Sequence, residues 1–264
     1  MKLGSLVGIG RRCRVYEWGK GQVLKLFHPD APLSRVEIEA ARSRLVYDAG
    51  LPVPCVGDVV DVGDCRGIVY EHLEGPSLGN TVRENMSQAP DLLRRLAELH
   101  YSIHCAKVDG LPSHREGIRR SIERTPLLTD DVRARVLAML EGLPDGNALC
   151  HGDLNLNNVI LTPDGWKVVD WDNASLGNPL ADVARSVLML DAGVNYSRSP
   201  EERAVIEQVE PLARDAYVKR YLELSNLSAD ELMAWRVPIA AARLCEDITE
   251  EESWLLEVVG SALN

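Results

Sequence analysis

His151-Gly152-Asp153-Leu154-Asn155-Leu156-Asn157-Asn158 is followed, twelve positions after Asn158, by Asp170 within Val168-Val169-Asp170-Trp171-Asp172. Phosphoryl transfer from a nucleotide needs few covalent groups but several positioned oxygens. One carboxylate orients the attacking hydroxyl, while an amide and a second carboxylate hold Mg²⁺ against the phosphates. Asp153, Asn158 and Asp170 supply all three in that order. An Asp-x-x-x-x-Asn alone is common by chance; between a turn signal and a strand-turn-strand pattern it is far less so. Asp153 is therefore expected to be the catalytic carboxylate, in a role typically worth about 10²–10⁴-fold. Asn158 and Asp170 are expected to bind Mg²⁺, which keeps most of its waters and takes only one or two protein carboxylates. The five-residue offset selects Asn158 over its neighbour Asn157, and Asp172 reads as structural.

Upstream, Leu6 to Tyr16 and Gln22 to Phe27 are short β-type runs punctuated by glycines. Ser34 with Glu37 forms a capping-box pattern that starts a helix, ended near Gly50 by Leu51-Pro52-Val53-Pro54. Gly57 to Val62 and Arg66 to Glu71 read as two more strands, and Glu71 to Pro76 as a linker between lobes. Lys25 sits between apolar residues in a strand. With a glycine-bearing turn before it and an acidic helix after it, Lys25 is expected to contact phosphate, held by a helix glutamate. Glu37 is committed to the cap, which leaves Glu39, about 200° further round the helix, to face the sheet. The segment Gly8 to Val15 has few glycines and three arginines, which either help bind phosphate or are simply solvated.

Beyond residue 75 the pattern is helical. Leu92, Leu93, Leu96, Leu99 and Ile103 share one face, and Ser199 with Glu202, Ser228 with Glu231 and Thr249 with Glu252 are further helix-start signals. A β-type patch from Ala148 to Asp170 interrupts it. The coarse reading is α+β: a small β-rich N-terminal lobe over residues 1–74 and a larger, mainly helical lobe over 75–264.

Composition narrows the class. The 264 residues are 45% hydrophobic and 26% charged, with a net charge of −11. That charge disfavours nucleic acid as a partner, because phosphate binding wants a basic stripe. It suits a cationic substrate without requiring one. There is no apolar run of membrane-span length and no signal-peptide pattern, so a cytoplasmic protein is expected. Six scattered cysteines argue for reduced thiols rather than a disulfide scaffold. No obligate protein partner is indicated.

Other candidates carry competing readings. His100 and His104, spaced i, i+4, favour packing and hydrogen bonding over zinc, since no third ligand announces itself. His151 is expected to orient the Asp153 loop. The cluster Glu246, Asp247, Glu250, Glu251, Glu252 could line a pocket for an amine-bearing substrate. Acids suit a helix N-terminus, however, and only Glu246 escapes that explanation.

These motifs, with Val15-Tyr16-Glu17, Leu96-Ala97-Glu98-Leu99-His100 and Gly177-Asn178-Pro179-Leu180-Ala181-Asp182-Val183-Ala184, resemble the aminoglycoside phosphotransferase and choline kinase family nearly end to end. The resemblance implies a protein-kinase-like two-lobed fold and ATP- or GTP-dependent, Mg²⁺-assisted phosphorylation of a small-molecule hydroxyl. By position it makes Asp153 the catalytic Asp, Asn158 and Asp170 the metal ligands, and Lys25 with Glu39 the phosphate-anchoring pair. Asp182 becomes a buried brace for the catalytic loop, and Glu71 to Leu73 a hinge whose backbone meets the base. Many members have His-Pro where this chain has Asn155-Leu156, beside the acceptor hydroxyl, so the acceptor stays open. Aminoglycosides, choline, homoserine, sugars and macrolides are all within the family's range. A nucleotide-binding pseudokinase without turnover is the alternative. The eleven residues between Asp170 and Asp182 are too few for a protein kinase's peptide-binding segment.

Overall fold

The computed structural model describes residues 3–197 and 199–262. Contacts divide the chain into two compact units, one of residues 1–78, 108–110 and 156–174, the other of residues 79–107, 111–155 and 175–264. The chain thus passes between units several times, where the sequence suggests one division after residue 74.

In the first unit, β1 (Leu6–Ile9), β2 (Cys13–Glu17), β3 (Gln22–Phe27), β4 (Val56–Val62) and β5 (Cys65–Glu71) form an antiparallel sheet in the order β1-β2-β3-β5-β4. Helix α1 (Leu33–Asp48) packs on it through Val36 and Ala40, buried with Cys13, Phe27 and Ile68. Side chains alternate along a strand, so Lys25 shares the α1-facing side with Phe27. On α1 the buried positions are Val36, Glu39, Ala40, Ser43 and Val46, a stripe at helical spacing. Glu39 therefore faces the sheet because of periodicity. The capping box expected at Ser34 and Glu37 does not form: α1 already starts at Leu33, Pro32 occupies the N-cap, and no side chain caps the end. Ser34 lies inside the first turn, too late to cap it.

The hairpin of β7 (Val159–Thr162) and β8 (Gly165–Val168) also belongs to this unit. The Leu161 amide donates to the Pro76 carbonyl at 2.9 Å and the Val168 amide to the Pro52 carbonyl at 2.8 Å. These bonds tie the hairpin to the segments that flank the sheet.

The second unit holds the two-stranded pair β6 (Ala148–Cys150) and β9 (Ser175–Gly177) and most of the helices. These are α2 (Leu78–Glu84, its first residue in the other unit), α3 (Ala89–Cys105), α4 (His114–Arg124), α5 (Asp130–Gly142), α6 (Pro179–Asp191), α7 (Pro200–Ser225), α8 (Ala229–Met233), α9 (Arg236–Arg243) and α10 (Thr249–Ser261). α3 lies along α7, burying Leu92, Leu93, Leu96 and Ile103, with Leu99 half-buried. The Ser228–Glu231 capping box forms in full, and Ser199 accepts from the Glu202 amide at 3.2 Å. Thr249 does not cap: it is the first residue of α10, behind an Ile248 N-cap with no side-chain bond. No described helix is long and apolar enough to cross a membrane.

Candidate active site

Two charged clusters, one in each unit, contain most of the residues that the sequence singles out. In the first unit, the Lys25 Nζ donates to Glu39 Oε1 at 2.6 Å and to Asp170 Oδ1 at 2.8 Å, across 145 residues of sequence. Burial alone would lower the lysine's pKa, but the carboxylates of Asp170 and Glu39 outweigh it and hold the ammonium well above its usual range. Burial pushes the Glu39 carboxyl above its usual range, against the pull of Lys25.

Asp170 stands just past β8 with φ of 68°, a left-handed conformation uncommon for a non-glycine residue. Three contacts hold this bend. The Val169 amide donates to the Asn158 carbonyl at 2.9 Å, extending the hairpin ladder by one bond. Arg35 Nη2 meets Asp172 Oδ2 at 2.8 Å, and Arg42 donates to the Asp172 carbonyl. Arg35, Glu39 and Arg42 are spaced i, i+4, i+7, so one stripe of α1 serves the whole 170–172 loop. Asn158 and Asp170 thus flank the open end of the hairpin. Asp170 is 41% exposed, and one oxygen each of Glu39, Asp170 and Asp172 lies within 4.8 Å of the others. This donor set is all oxygen, which suits a hard divalent cation such as Mg²⁺. Glu71 ends β5, its carboxylate accepting from the Cys55 amide at 3.0 Å, and Leu73 lies half-buried two residues on.

In the second unit the loop after β6 turns at Gly152, whose φ of 77° favours glycine. Both amides of that turn are capped by one buried carboxylate: Asp182 Oδ2 accepts from the His151 amide at 2.6 Å and Oδ1 from Gly152 at 2.9 Å. His151, fully buried, returns a bond, its Nδ1 accepting from the Asp153 amide at 3.1 Å. Asp182 is itself held by His100 Nε2 at 3.1 Å and His104 Nε2 at 3.4 Å. Tyr217 and Tyr221 hydroxyls lie 2.6 Å from the two Nδ1 atoms. An ionised carboxylate can only accept, so each imidazole donates from Nε2 and takes the tyrosine hydrogen at Nδ1. Burial would raise the Asp182 carboxyl, but these histidine hydrogen bonds hold it well below the usual range. Burial and the neighbouring His100 lower the His104 pKa to about 4. His100, His104 and Asp182 are close enough to share a cation, yet each ligand atom already has a hydrogen-bond partner.

Asp153 itself projects from this braced turn. Its Oδ1 accepts from Arg185 Nη2 at 2.9 Å, and its Oδ2 from Asn155 Nδ2 at 3.2 Å. Burial raises its pKa against the pull of Arg185. Arg185 Nη1 continues to Glu246 Oε1 at 2.7 Å. Sequence reasoning passes over Arg185, although it is the one charged residue between Asp182 and Asp191 on an otherwise apolar α6. Arg35 and Arg42 escape it as well, because the positive charges of an amphipathic helix usually face water.

A protein of this build, with a five-stranded sheet carrying a helix-bound lysine and a helical unit carrying a braced carboxylate turn, is of the small-molecule kinase type. The chain matches the phosphotransferase enzyme family over residues 6–229 and belongs to that family. Its sequence is 27% identical over 181 residues to mouse acyl-CoA dehydrogenase family member 10, covering 58% of this chain and 16% of that protein. It is 27% identical over 197 residues to chicken acyl-CoA dehydrogenase family member 11, covering 63% and 25%. The chain therefore spans a quarter or less of the length of these curated relatives. Among solved structures it is similar to a thermostable mutant of aminoglycoside phosphotransferase APH(4)-Ia in a ternary complex with ADP and hygromycin B. That match has a TM-score of 0.69 and 18% identity, and covers 98% of this chain and 92% of the other. Plasmodium vivax ethanolamine kinase matches with a TM-score of 0.60 and 16% identity, over 97% and 76%. These likenesses establish the two-lobed α+β kinase fold.

Proposed function

We propose that the protein transfers the γ-phosphoryl group of ATP or GTP to a hydroxyl of a small, amine-bearing molecule. The observation that carries this reading is the Lys25 ammonium bound at once to Glu39 and to Asp170, the latter 145 residues away in sequence. A cation anchored in that way is what contact with a nucleotide's phosphates requires. In this reading the acceptor oxygen bonds to the γ-phosphorus as the bond to the bridging oxygen breaks, and the diphosphate departs with that electron pair. The hydroxyl proton passes to Asp153. Asp170 and Asn158 would hold Mg²⁺, which when bound neutralises charge on the phosphate oxygens. Glu71 and Leu73 offer backbone groups to the base, and Asn155 borders the acceptor. The amine-bearing acceptor is supported by the net charge of −11 and by the hygromycin B bound to a structural neighbour. A cytoplasmic setting fits the same reading.

The test is release of ADP or GDP across a panel of amino sugars, amino alcohols, sugars and macrolides, each with Mg-ATP or Mg-GTP. An Asp153→Asn variant serves as control. Turnover that depends on one acceptor and on Asp153 supports the reading. Nucleotide binding with no turnover above the control across the panel would mark a regulatory pseudokinase instead.

A further inference from the structure

The bonds at Asp153 continue well beyond it. Glu246, in the turn after α9, receives Arg185 on one oxygen and, on the other, Arg243 Nη1 at 3.4 Å. Arg243 in turn grips Glu251 of α10 through Nε at 2.5 Å and Nη2 at 2.8 Å. The Tyr196 hydroxyl donates to the same carboxylate. An alternation of acid and base therefore runs without a break from α10 to the turn that carries Asp153. Glu251 is fully buried and Arg243 6% exposed, so the far end of this ladder is rigidly packed. Arg185 carries it to Asp153 with a guanidinium that forks between two carboxylates, and its Nε is buried without a partner.

We propose that Arg185, anchored by Glu246, is a positioning residue for Asp153, fixing the orientation of its carboxylate and setting how readily it accepts the acceptor's proton. This rests on Asp153 being the proton-accepting carboxylate. The planar fork explains why an arginine stands here. One nitrogen faces each carboxylate, so the guanidinium sets both their spacing and their plane, which a single ammonium cannot do. The ladder also gives Glu246 a different task from receiving a substrate amine, since each of its oxygens already meets a guanidinium.

Opposite signs follow for the two partners. The charged and titratable groups that act most strongly on Asp153 include Arg185 from α6, Glu246 from the turn after α9, and His151 from its own loop. Removing the Arg185 charge takes away a neighbour that favours the ionised carboxylate, so Asp153 becomes harder to ionise. Removing the Glu246 charge leaves Arg185 wholly to Asp153, so Asp153 becomes easier to ionise and a weaker base. A merely structural brace would lower the melting temperature and leave kcat unchanged in the folded variants, whereas a positioning residue lowers kcat as the titration moves.

The experiment compares wild type, Arg185→Gln, Arg185→Lys, Glu246→Gln and Asp153→Asn, with folding checked by far-UV circular dichroism. The Asp153 carboxyl ¹³C resonance, assigned by its absence in Asp153→Asn, is titrated, and nucleoside diphosphate release is followed against pH with water or an accepted alcohol. The expected result is a titration shifted to higher pH in Arg185→Gln and to lower pH in Glu246→Gln. For Arg185→Gln and Arg185→Lys, kcat falls by ~10–100-fold, a fraction of the general-base contribution, with the nucleotide KM unchanged. Shifts that are absent or share one sign, or an Arg185→Lys enzyme with wild-type kcat, would overturn the proposal. If Arg185→Gln does not fold, the Glu246→Gln titration decides alone, and an unmoved resonance overturns it. Full turnover in Asp153→Asn would instead defeat the catalytic reading beneath it. An inactive Asp153→Asn beside a fully active Arg185→Gln would defeat this inference only.

Discussion

The two units each contain an acid–base–acid triplet built by a different chemistry. In the first unit a single lysine nitrogen holds Glu39 and Asp170 at one point, 2.6 and 2.8 Å away. In the second, separate nitrogens of Arg185 hold Asp153 and Glu246, 2.9 and 2.7 Å away. A point charge draws two carboxylates together, and they repel once it is gone. A fork keeps them apart in a fixed plane. Burial differs as well: the anchoring Glu39 is 2% exposed and the anchoring Glu246 32%. The lysine triplet therefore depends on its cation for stability, whereas the arginine triplet depends on it for geometry.

The largest effect tests the acids that each triplet presents. Asp153→Asn should lower kcat by ~10²–10⁴-fold, as loss of a general base does. Its melting temperature should hold, because the amide can still accept from Arg185. A comparable kcat in Asp153→Asn and wild type would remove the functional distinction between the triplets. Next comes Lys25→Ala, which leaves the buried Glu39 uncompensated. Removing one partner of a buried pair costs ~3–5 kcal/mol, and the partial exposure of Asp170 puts this case at the lower end. Chemical denaturation measures it, and a loss below ~1 kcal/mol would show that the lysine triplet is no more than a surface pair.

The two anchoring glutamates sharpen the contrast. Glu39→Gln keeps the shape but weakens a charged hydrogen bond in a dry site, at ~1.5–3 kcal/mol. Glu246→Gln, at a more exposed position, should cost ~1 kcal/mol or less. Equal losses in denaturant midpoint would mean that burial does not separate the two sites.

How far each triplet can be read from the sequence follows from the same contrast. Lys25 announces itself as a charge inside an apolar strand, and Asp170 by its distance from Asn158. Glu39 is selected on a premise that fails: the Ser34–Glu37 cap does not exist, and the Val36–Glu39–Ala40–Ser43 stripe is what turns Glu39 inward. The strands of the five-stranded sheet are legible because glycines and prolines punctuate that stretch of chain. Arg185 is not legible, because its partner Glu246 lies sixty-one positions on, beyond a long helix, and nothing local marks the pairing. Arg35 and Arg42 stay hidden for a related reason. Which arginine of a helix faces a loop depends on where that loop lands, and only the tertiary structure sets that. His100 and His104 read as packed and hydrogen-bonded, but the carboxylate and tyrosines that satisfy them come from other helices.

Acid provides the finest test, because the second unit stores a histidine whose proton affinity folding has lowered. The His104 pKa falls from 6.5 in the unfolded chain to about 4 in the folded one. Between those values the unfolded chain binds a proton that the folded protein does not. Stability is thus fully present above pH 6.5 and declines as pH falls toward 4, by at most ~1.4 kcal/mol per pH unit for one proton. Asp182, whose carboxyl is held low, adds loss in the same sense below the ordinary carboxylate range. In the first unit Glu39 works the other way. Its raised pKa means that the folded state takes up a proton before the unfolded one, so acidification does not weaken that unit through Glu39. Hydrogen exchange between pH 7 and 5 should therefore show amides around His151 and Gly152 losing protection before those of β3 and α1. A His104→Asn variant should lose stability at pH 7 and flatten its decline between pH 6.5 and 5. Uniform loss of protection in both units would mean that the histidine pair does not set the acid limit of the turn that carries Asp153.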